Sequence, residues 1–377
     1  MDFNELAHTG PETLAGRYLR MFWQPVCCSY ELTAGRALPV RIMGEDFTVY
    51  RGDSGTPYLI GPRCAHRDTQ LSVGSIEGEC IRCFYHGWNY DGSGQCVDQP
   101  AEGESFADKI RIPGYPIQEY IGLIFAYVGE GDPPPLPRYP RFESPDISLD
   151  VAALRRICNY FNNIDNSLDN AHVRFVHQRH RKSVDDHVVR GDPMITVEES
   201  EWGIRRYVKY PDGKDLTFFF GMPNINFING QVVDSEIKRA DVIVFKVPVD
   251  DDSHIHFEVR AIPLTGDRGR AWIEERRQLR AKAEKRSAGI SPGNTRRKTS
   301  RKRRGSEARR FCHARRRDRA NRPRSDRPAQ QRTSRPQRSR RLSSAQNLGT
   351  RAAHPSGGQA NQAMDLPAGN GADIPPA

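Results

Sequence analysis

The chain has 377 residues, room for two domains with cores of their own. Its net charge of +10 belongs to one late block: residues 296–341 hold 21 Lys and Arg against 3 Asp and Glu, leaving 36 basic against 44 acidic residues elsewhere. The charge is therefore no sign of a nucleic-acid-binding body, and the lack of an apolar run of about 18 residues predicts no membrane span. The first twenty residues, "MDFNELAHTGPETLAGRYLR", have no signal-peptide h-region, so a cytoplasmic chain with reduced thiols is expected. On that footing the eight cysteines read as metal ligands before disulfides.

In chain order, "TLAGRYLRMFWQPVCC" predicts a short helix running into an aromatic segment. The runs "LPVRIM", "DFTVYR" and "TPYLIG" predict short strands between Gly, Asp and Ser turns, and "GLIFAYVG" at 122–129 a buried strand. "EGDPPPLPRYP" at 130–140 predicts a linker and the first domain boundary. Residues 150–185 read as helical. Strands return as "MITVEE", "GIRRYVKY", "LTFFF", "ADVIVFKVPV" and "HIHFEVRAIPL", the last two joined by the turn "VDDDS". "AWIEERRQLRAKAEKR" at 271–286 predicts a charged helix, and after about Ala288 every periodic signal is lost.

The strongest chemical signal is "RCAHRDTQLSVGSIEGECIRCFYHGW". It holds Cys64-x-His66 and, sixteen residues later, Cys83-x-x-His86. Each half supplies one Cys and one His. A [2Fe-2S] cluster with unlike ligation at its irons needs that set, two thiolates on one iron and two imidazoles on the other. The alternative is a Cys2His2 zinc site, which usually pairs Cys with Cys and His with His. Gly74 and Gly87 suit two loops closing over one cluster. Cys80 reads as a strand residue outside the site, and Cys27, Cys28, Cys96 and Cys158 as buried thiols.

A second constellation lies in "NYFNNIDNSLDNAHVRFVHQ", which carries Asp165, Asp169, His172 and His177. On a regular helix Asp165, Asp169 and His172 share one face. His177 falls off it, so the helix must distort between the two histidines for both to reach one metal. Two His and one carboxylate with open positions form the ligand set of non-haem Fe(II) oxygenases. The competing reading is a solvated polar helix. His254 and His256 point to one side of a strand and read as a polar face rather than ligands, while His180 and His187 read as exposed. "FFFGMPNINF" at 218–227 lines a pocket or packs a core.

"CAHRDTQLSVG" and "IRCFYHGWNYDGSGQCV" resemble the Rieske [2Fe-2S] domain of ring-hydroxylating oxygenase large subunits, with Phe84 where Pro is more usual. N-x5-D-N-x2-D-x2-H-x4-H resembles the mononuclear iron motif of the same family. The text from "GRYLRMFWQPV" to "FEVRAIPL" looks most like its phthalate-type subgroup. The resemblance implies Cys64, His66, Cys83 and His86 as cluster ligands and His172 and His177 as ligands of a mononuclear non-haem Fe(II). It implies Asp169 as the bridge from a ligand histidine to His86 of a neighbouring subunit, with Asn162 and Asp165 as nearby support.

The implied fold is α+β: an all-β Rieske domain over 20–140, after an N-terminal segment 1–19, then a helix-grip-like catalytic domain of antiparallel sheet and helices over 141–287. Residues 288–377 read as a disordered Arg-rich tail. The implied activity is O2-dependent hydroxylation or demethylation of an aromatic compound. Electrons would come from NAD(P)H through a reductase or ferredoxin, and the assembly would be a homotrimer.

The family's third iron ligand, an Asp on a late helix, would fall in the Arg-rich block. Asp318 and Asp326 lie in the right interval without helical context. The block reads as the product of a reading-frame shift near residues 285–300, since a GC-rich gene out of frame yields mainly Arg, Pro, Ala, Ser, Gly and Thr. The other reading, a nucleic-acid-binding tail, has one aromatic, Phe311, for base stacking. A chain lacking that ligand would be an impaired Rieske electron-transfer protein.

Overall fold

The structure, a computed structural model, describes residues 3–169, 172 and 193–288, apart from 212, 214, 232, 234, 235 and 238. His177, His180, His187, Asp318, Asp326 and the Arg-rich block lie outside the described residues.

The first part is built of short antiparallel strands. Ala37–Ile42, Glu45–Arg51, Pro57–Ile60 and Gly114–Tyr115 form one four-stranded sheet in that order. Ser75–Glu77, Cys80–Arg82, Asn89–Tyr90 and Cys96–Asp98 form a second. Their alternating side chains close a small core that includes Tyr50, Ile60, Leu71, Ile81, Trp88 and Tyr90. A three-stranded sheet, Gln24–Cys28, Leu123–Ala126 and Ile117–Tyr120, carries a larger core onward. Cys27, Cys28 and Cys96 are buried, Cys158 is half-buried, and Cys80 opens a strand outside the cluster loops.

The second part is a seven-stranded antiparallel sheet. Its order is Ser148–Arg156, Ser253–Ile262, Ala240–Asp250, Ile225–Gln231, Asp215–Gly221, Gly203–Lys209 and Met194–Ser200. One face bears Ile243, Phe245, Val247, Phe257 and Val259 and joins the core of the first part, with Phe125 edge-on to Phe245 at 5.4 Å. The other face bears a row of polar groups, described below.

Two sequence expectations need correction. Residues 148–156 are a strand and not a helix: "SLDVAALRR" pairs residue for residue with 254–262. Tertiary pairing at an open sheet edge outweighs the helix propensity of Ala153 and Leu154. The segment Ile225–Gln231, read only as pocket or core, is a strand of its own.

The helix Gly266–Ala288 presents little apolar surface beyond Trp272, which is buried beside Ile237 and Ile262. A buried carboxylate anchors it. Asp150 is fully buried, and its Oδ2 accepts from Arg260 at 3.1 Å and from Arg280 of the helix. Removing one member of such a group strands the other charges in a low dielectric. Asp150→Ala is expected to cost about 3–5 kcal/mol, read as a lower urea midpoint. Arg268→Ala, which removes an exposed pair between this helix and Glu236, is expected to cost under about 1 kcal/mol.

Candidate metal centres and the polar face of the sheet

The two cluster loops are built alike. Cys64 N–H donates to Thr69 O at 2.8 Å, and Cys83 N–H to Trp88 O at 2.8 Å. Cys64 O accepts from Asp68 N–H and Cys83 O from Gly87 N–H, both at 3.0 Å. The fifth residue of each loop takes a left-handed conformation, Asp68 at φ 56° and Gly87 at φ 78°. Gly supplies that conformation freely, and Asp is among the few other residues that tolerate it. Gly74 is required by close approach, since a Cβ there would lie 2.2 Å from Arg82 O.

The loops bring the four predicted residues together by type. Cys64 and Cys83 are buried in the same small core. The rings of His66 and His86 lie 4.4 Å apart, and His66 stacks on Trp88 at 4.8 Å. His66 Nδ1 is buried with no hydrogen-bond partner, a donor atom left over for a metal. Two thiols and two imidazoles in separate pairs, one with an orphaned nitrogen, fit a [2Fe-2S] cluster held by both residue types.

Sequence reasoning missed the groups that tune this site. Tyr90, fully buried, places its hydroxyl 3.2 Å from Cys64 Sγ while accepting from Ala65 N–H at 3.1 Å. Burial, and next the Cys64 sulfur, push the Tyr90 hydroxyl up, so it keeps its proton and donates to sulfur. Burial also pushes the Cys64 thiol up, and the Tyr90 hydroxyl pulls it back. Trp88 and Tyr90 alternate inward two residues apart just after the "HGW" signature, the signal that could have found them.

At the second constellation the helix Tyr160–Leu168 ends before Asp169, which is extended at φ −93° and ψ 111°. The expected common helical face of Asp165, Asp169 and His172 is therefore not formed. Asn162 and Asp165 are exposed. The helix ends ahead of Asp169; the distortion expected between His172 and His177 lies outside the described residues. Asp169 Oδ1 accepts from His172 N–H at 3.4 Å, the spacing of an N-cap, and Oδ2 lies 3.5 Å from His172 Nδ1. One carboxylate thus accepts from the His172 backbone and lies beside its imidazole, the kind of neighbour metal-ligating histidines commonly have.

Beside this turn lies the polar face of the large sheet. His254 and His256 do share a side of their strand, but that side is buried. His254 is fully buried, with Nδ1 2.8 Å from Cys158 O. Burial is the main cause that lowers its pKa to about 4, and it holds His256 well below the usual range. Lys246, also buried, donates to Ser167 Oγ and to Asn226 Oδ1 at 2.5 Å. Burial and the cations of Arg156 and Arg206 lower its pKa to about 7. Arg206 donates to Ser167 O at 3.0 Å. The missed signal was a lysine inside the apolar run "VIVFKVPV".

Comparison with known proteins places these sites in context. The Rieske [2Fe-2S] domain model matches residues 22–120. The chain is 34% identical over 179 residues to the 5,5'-dehydrodivanillate O-demethylase oxygenase subunit of Sphingobium sp., covering 46% of this chain and 42% of the relative. It is 32% identical over 229 residues to the 3-chlorobenzoate-3,4-dioxygenase oxygenase subunit of Comamonas testosteroni, covering 58% and 53%. The chain thus spans about half the length of these curated relatives. Among solved structures, dicamba monooxygenase bound to dicamba matches the fold with a TM-score of 0.57 at 21% identity, over 74% of this chain and 92% of that one.

Tyr90→Phe is expected to lower the reduction potential of the reconstituted cluster. A lost hydrogen bond to charged sulfur of about 1.4 kcal/mol corresponds to about 60 mV for one electron, measured by potentiometric titration. Residues 22–120 are a Rieske [2Fe-2S] domain, in a chain whose further similarity is to the oxygenase subunits of Rieske ring-hydroxylating and demethylating systems.

Proposed function

We propose that the chain is the oxygenase component of a Rieske non-haem iron system, hydroxylating or demethylating an aromatic substrate with O2 and electrons from NAD(P)H through a reductase or ferredoxin. One observation carries the reading. The chain that holds the cluster loops also holds, at a helix end beside a separate sheet, a histidine with a carboxylate 3.5 Å from its ring nitrogen. When bound, the cluster supplies one-electron storage and the iron supplies O2 activation.

The chain's own residues have parts that follow from their positions. Cys64 and Cys83 would hold one iron of the cluster and His66 and His86 the other, with Tyr90 donating to the Cys64 sulfur. His172 would hold the mononuclear iron together with His177. Asp169 lies beside the His172 ring, and its half-exposed carboxylate would be available to His86 of a neighbouring copy in a homotrimer. Phe84 and Tyr85 stand exposed beside His86 and offer an apolar surface to an electron donor. One structural neighbour was solved as an oxygenase and ferredoxin complex of carbazole 1,9a-dioxygenase.

The reading divides the chain as 1–19, a Rieske domain over 20–140, a catalytic domain over 141–287 and an Arg-rich remainder over 288–377, the product of a frame shift. No described helix is long and apolar enough to cross a membrane; a cytoplasmic location is part of the proposed reading. A second reading, an electron-transfer protein with impaired oxygenase chemistry, is favoured by the Arg-rich composition where a third iron ligand belongs.

Anaerobic reconstitution with iron and sulfide, followed by electron paramagnetic resonance of the reduced protein, tests the cluster. The unmodified chain is expected to give a Rieske signal and Cys83→Ser none. His172→Ala is expected to keep that signal and to lower aromatic-dependent O2 uptake by about 100-fold. A reducible cluster without O2 uptake in the unmodified chain selects the second reading. Translating all three frames across codons 280–377 tests the frame shift: an amphipathic helix with an Asp in another frame supports it.

A further inference from the structure

The two cluster loops repeat one hairpin, and an arginine enters each. Arg63 precedes Cys64 and pairs across the loop base with Gln70, while Arg82 precedes Cys83 and pairs with Asn89. Each arginine folds back over its own loop. Arg63 Nη1 donates to Asp68 O at 3.2 Å, and Arg82 Nη1 donates to Gly87 O at 2.6 Å. Asp68 and Gly87 are the left-handed residues that close the loops, and their N–H groups donate to Cys64 O and Cys83 O. The closing residue is therefore held through both of its backbone polar groups.

The two copies differ where the histidines are concerned. Gly87 follows His86 directly, whereas Asp68 stands two residues after His66. Arg63 is exposed and forms no ion pair among the described residues. The Arg82 side chain is 25% exposed and is gripped in turn. Its Nε donates to Glu77 Oε1 and its Nη1 to Asp98 Oδ2, both at 2.8 Å. Glu77 and Asp98 stand on the two outer strands of the sheet whose inner strands flank the second loop. One planar guanidinium thus ties two strands to the carbonyl beside His86. Pro100 closes the other side of Gly87, where a Cβ would lie 2.7 Å from Pro100 Cγ.

We propose that Arg82, anchored by Glu77 and Asp98, is the positioning residue for His86, and that its charge raises the reduction potential of the bound cluster. The fork and the charge act separately. The fork fixes the backbone next to the histidine, the kind of outer support on which ligand orientation depends. The charge offsets two carboxylates, and without it they would oppose entry of an electron nearby. The inference rests on the Rieske assignment of residues 22–120 and is independent of the oxygenase reading.

The full chain, reconstituted with iron and sulfide, tests this by potentiometric titration and by pulsed electron paramagnetic resonance of the two coupled ligand nitrogens, one from each histidine. Arg82→Gln is expected to lower the reduction constant about tenfold, about 59 mV for one electron, and to change one nitrogen coupling. Arg82→Lys keeps the charge and loses the fork, so the same coupling should change while the reduction constant stays within about twofold. Glu77→Gln with Asp98→Asn removes the anchors, and should change that coupling while raising the potential. Arg63→Gln is expected to leave both couplings unchanged and to shift the reduction constant less than about twofold. Should Arg82→Gln take up no cluster, the lysine and carboxylate variants decide on the same two readouts. Unchanged couplings in Arg82→Lys overturn the positioning role, and equal effects of Arg82→Gln and Arg63→Gln overturn the special place of Arg82. An unmodified chain that gives no Rieske signal overturns the assignment beneath the proposal instead.

Discussion

The period of two along the seven-stranded sheet is the constraint on which the second part of the molecule depends. In an antiparallel ladder, paired residues share a face and successive residues alternate. Phe245 and Val247 turn to the core that runs back to Phe125, while Lys246 between them turns to the opposite face. A slip of one residue would exchange the two sets and place a lysine and two histidines in the apolar core. The apolar face thus fixes the register, and the register delivers the polar face intact.

The cluster loops are held by a different device. Each cysteine is fixed by two backbone hydrogen bonds within its own loop, and each loop closes through one left-handed residue. The thiols face a core of Leu71, Ile81, Trp88 and Tyr90, while Phe84 and Tyr85 stay at the surface. Such loops would hold a cluster close to the surface, with Cys64 and Cys83 shielded from solvent. The Tyr90 hydroxyl lies 3.2 Å from the Cys64 sulfur, where it would tune such a cluster.

Asp169 joins the two kinds of order. It ends one helix, accepts from the backbone three residues on, and lies beside the His172 ring. Ser167, two residues earlier, receives Lys246 and Arg206 from the sheet. The segment leading to Asp169 is therefore tied to the buried cations below it.

Local chemistry could be read from the chain itself. The convergence of Cys64, His66, Cys83 and His86 was legible because mixed Cys and His pairs at close spacing have few other uses, and the strands 37–60 and 240–262 because alternation is a local property. The pairing of Asp169 with His172 was legible as spacing, but not the helix end that produces it, since capping depends on what the side chain finds nearby. Residues 148–156 carried helix-forming residues, and only the open edge beside 254–262 made them a strand. The convergence of Arg206, Lys246, His254 and His256 was invisible in one dimension: they lie on three strands up to fifty residues apart, and only the ladder register sets them on one buried face.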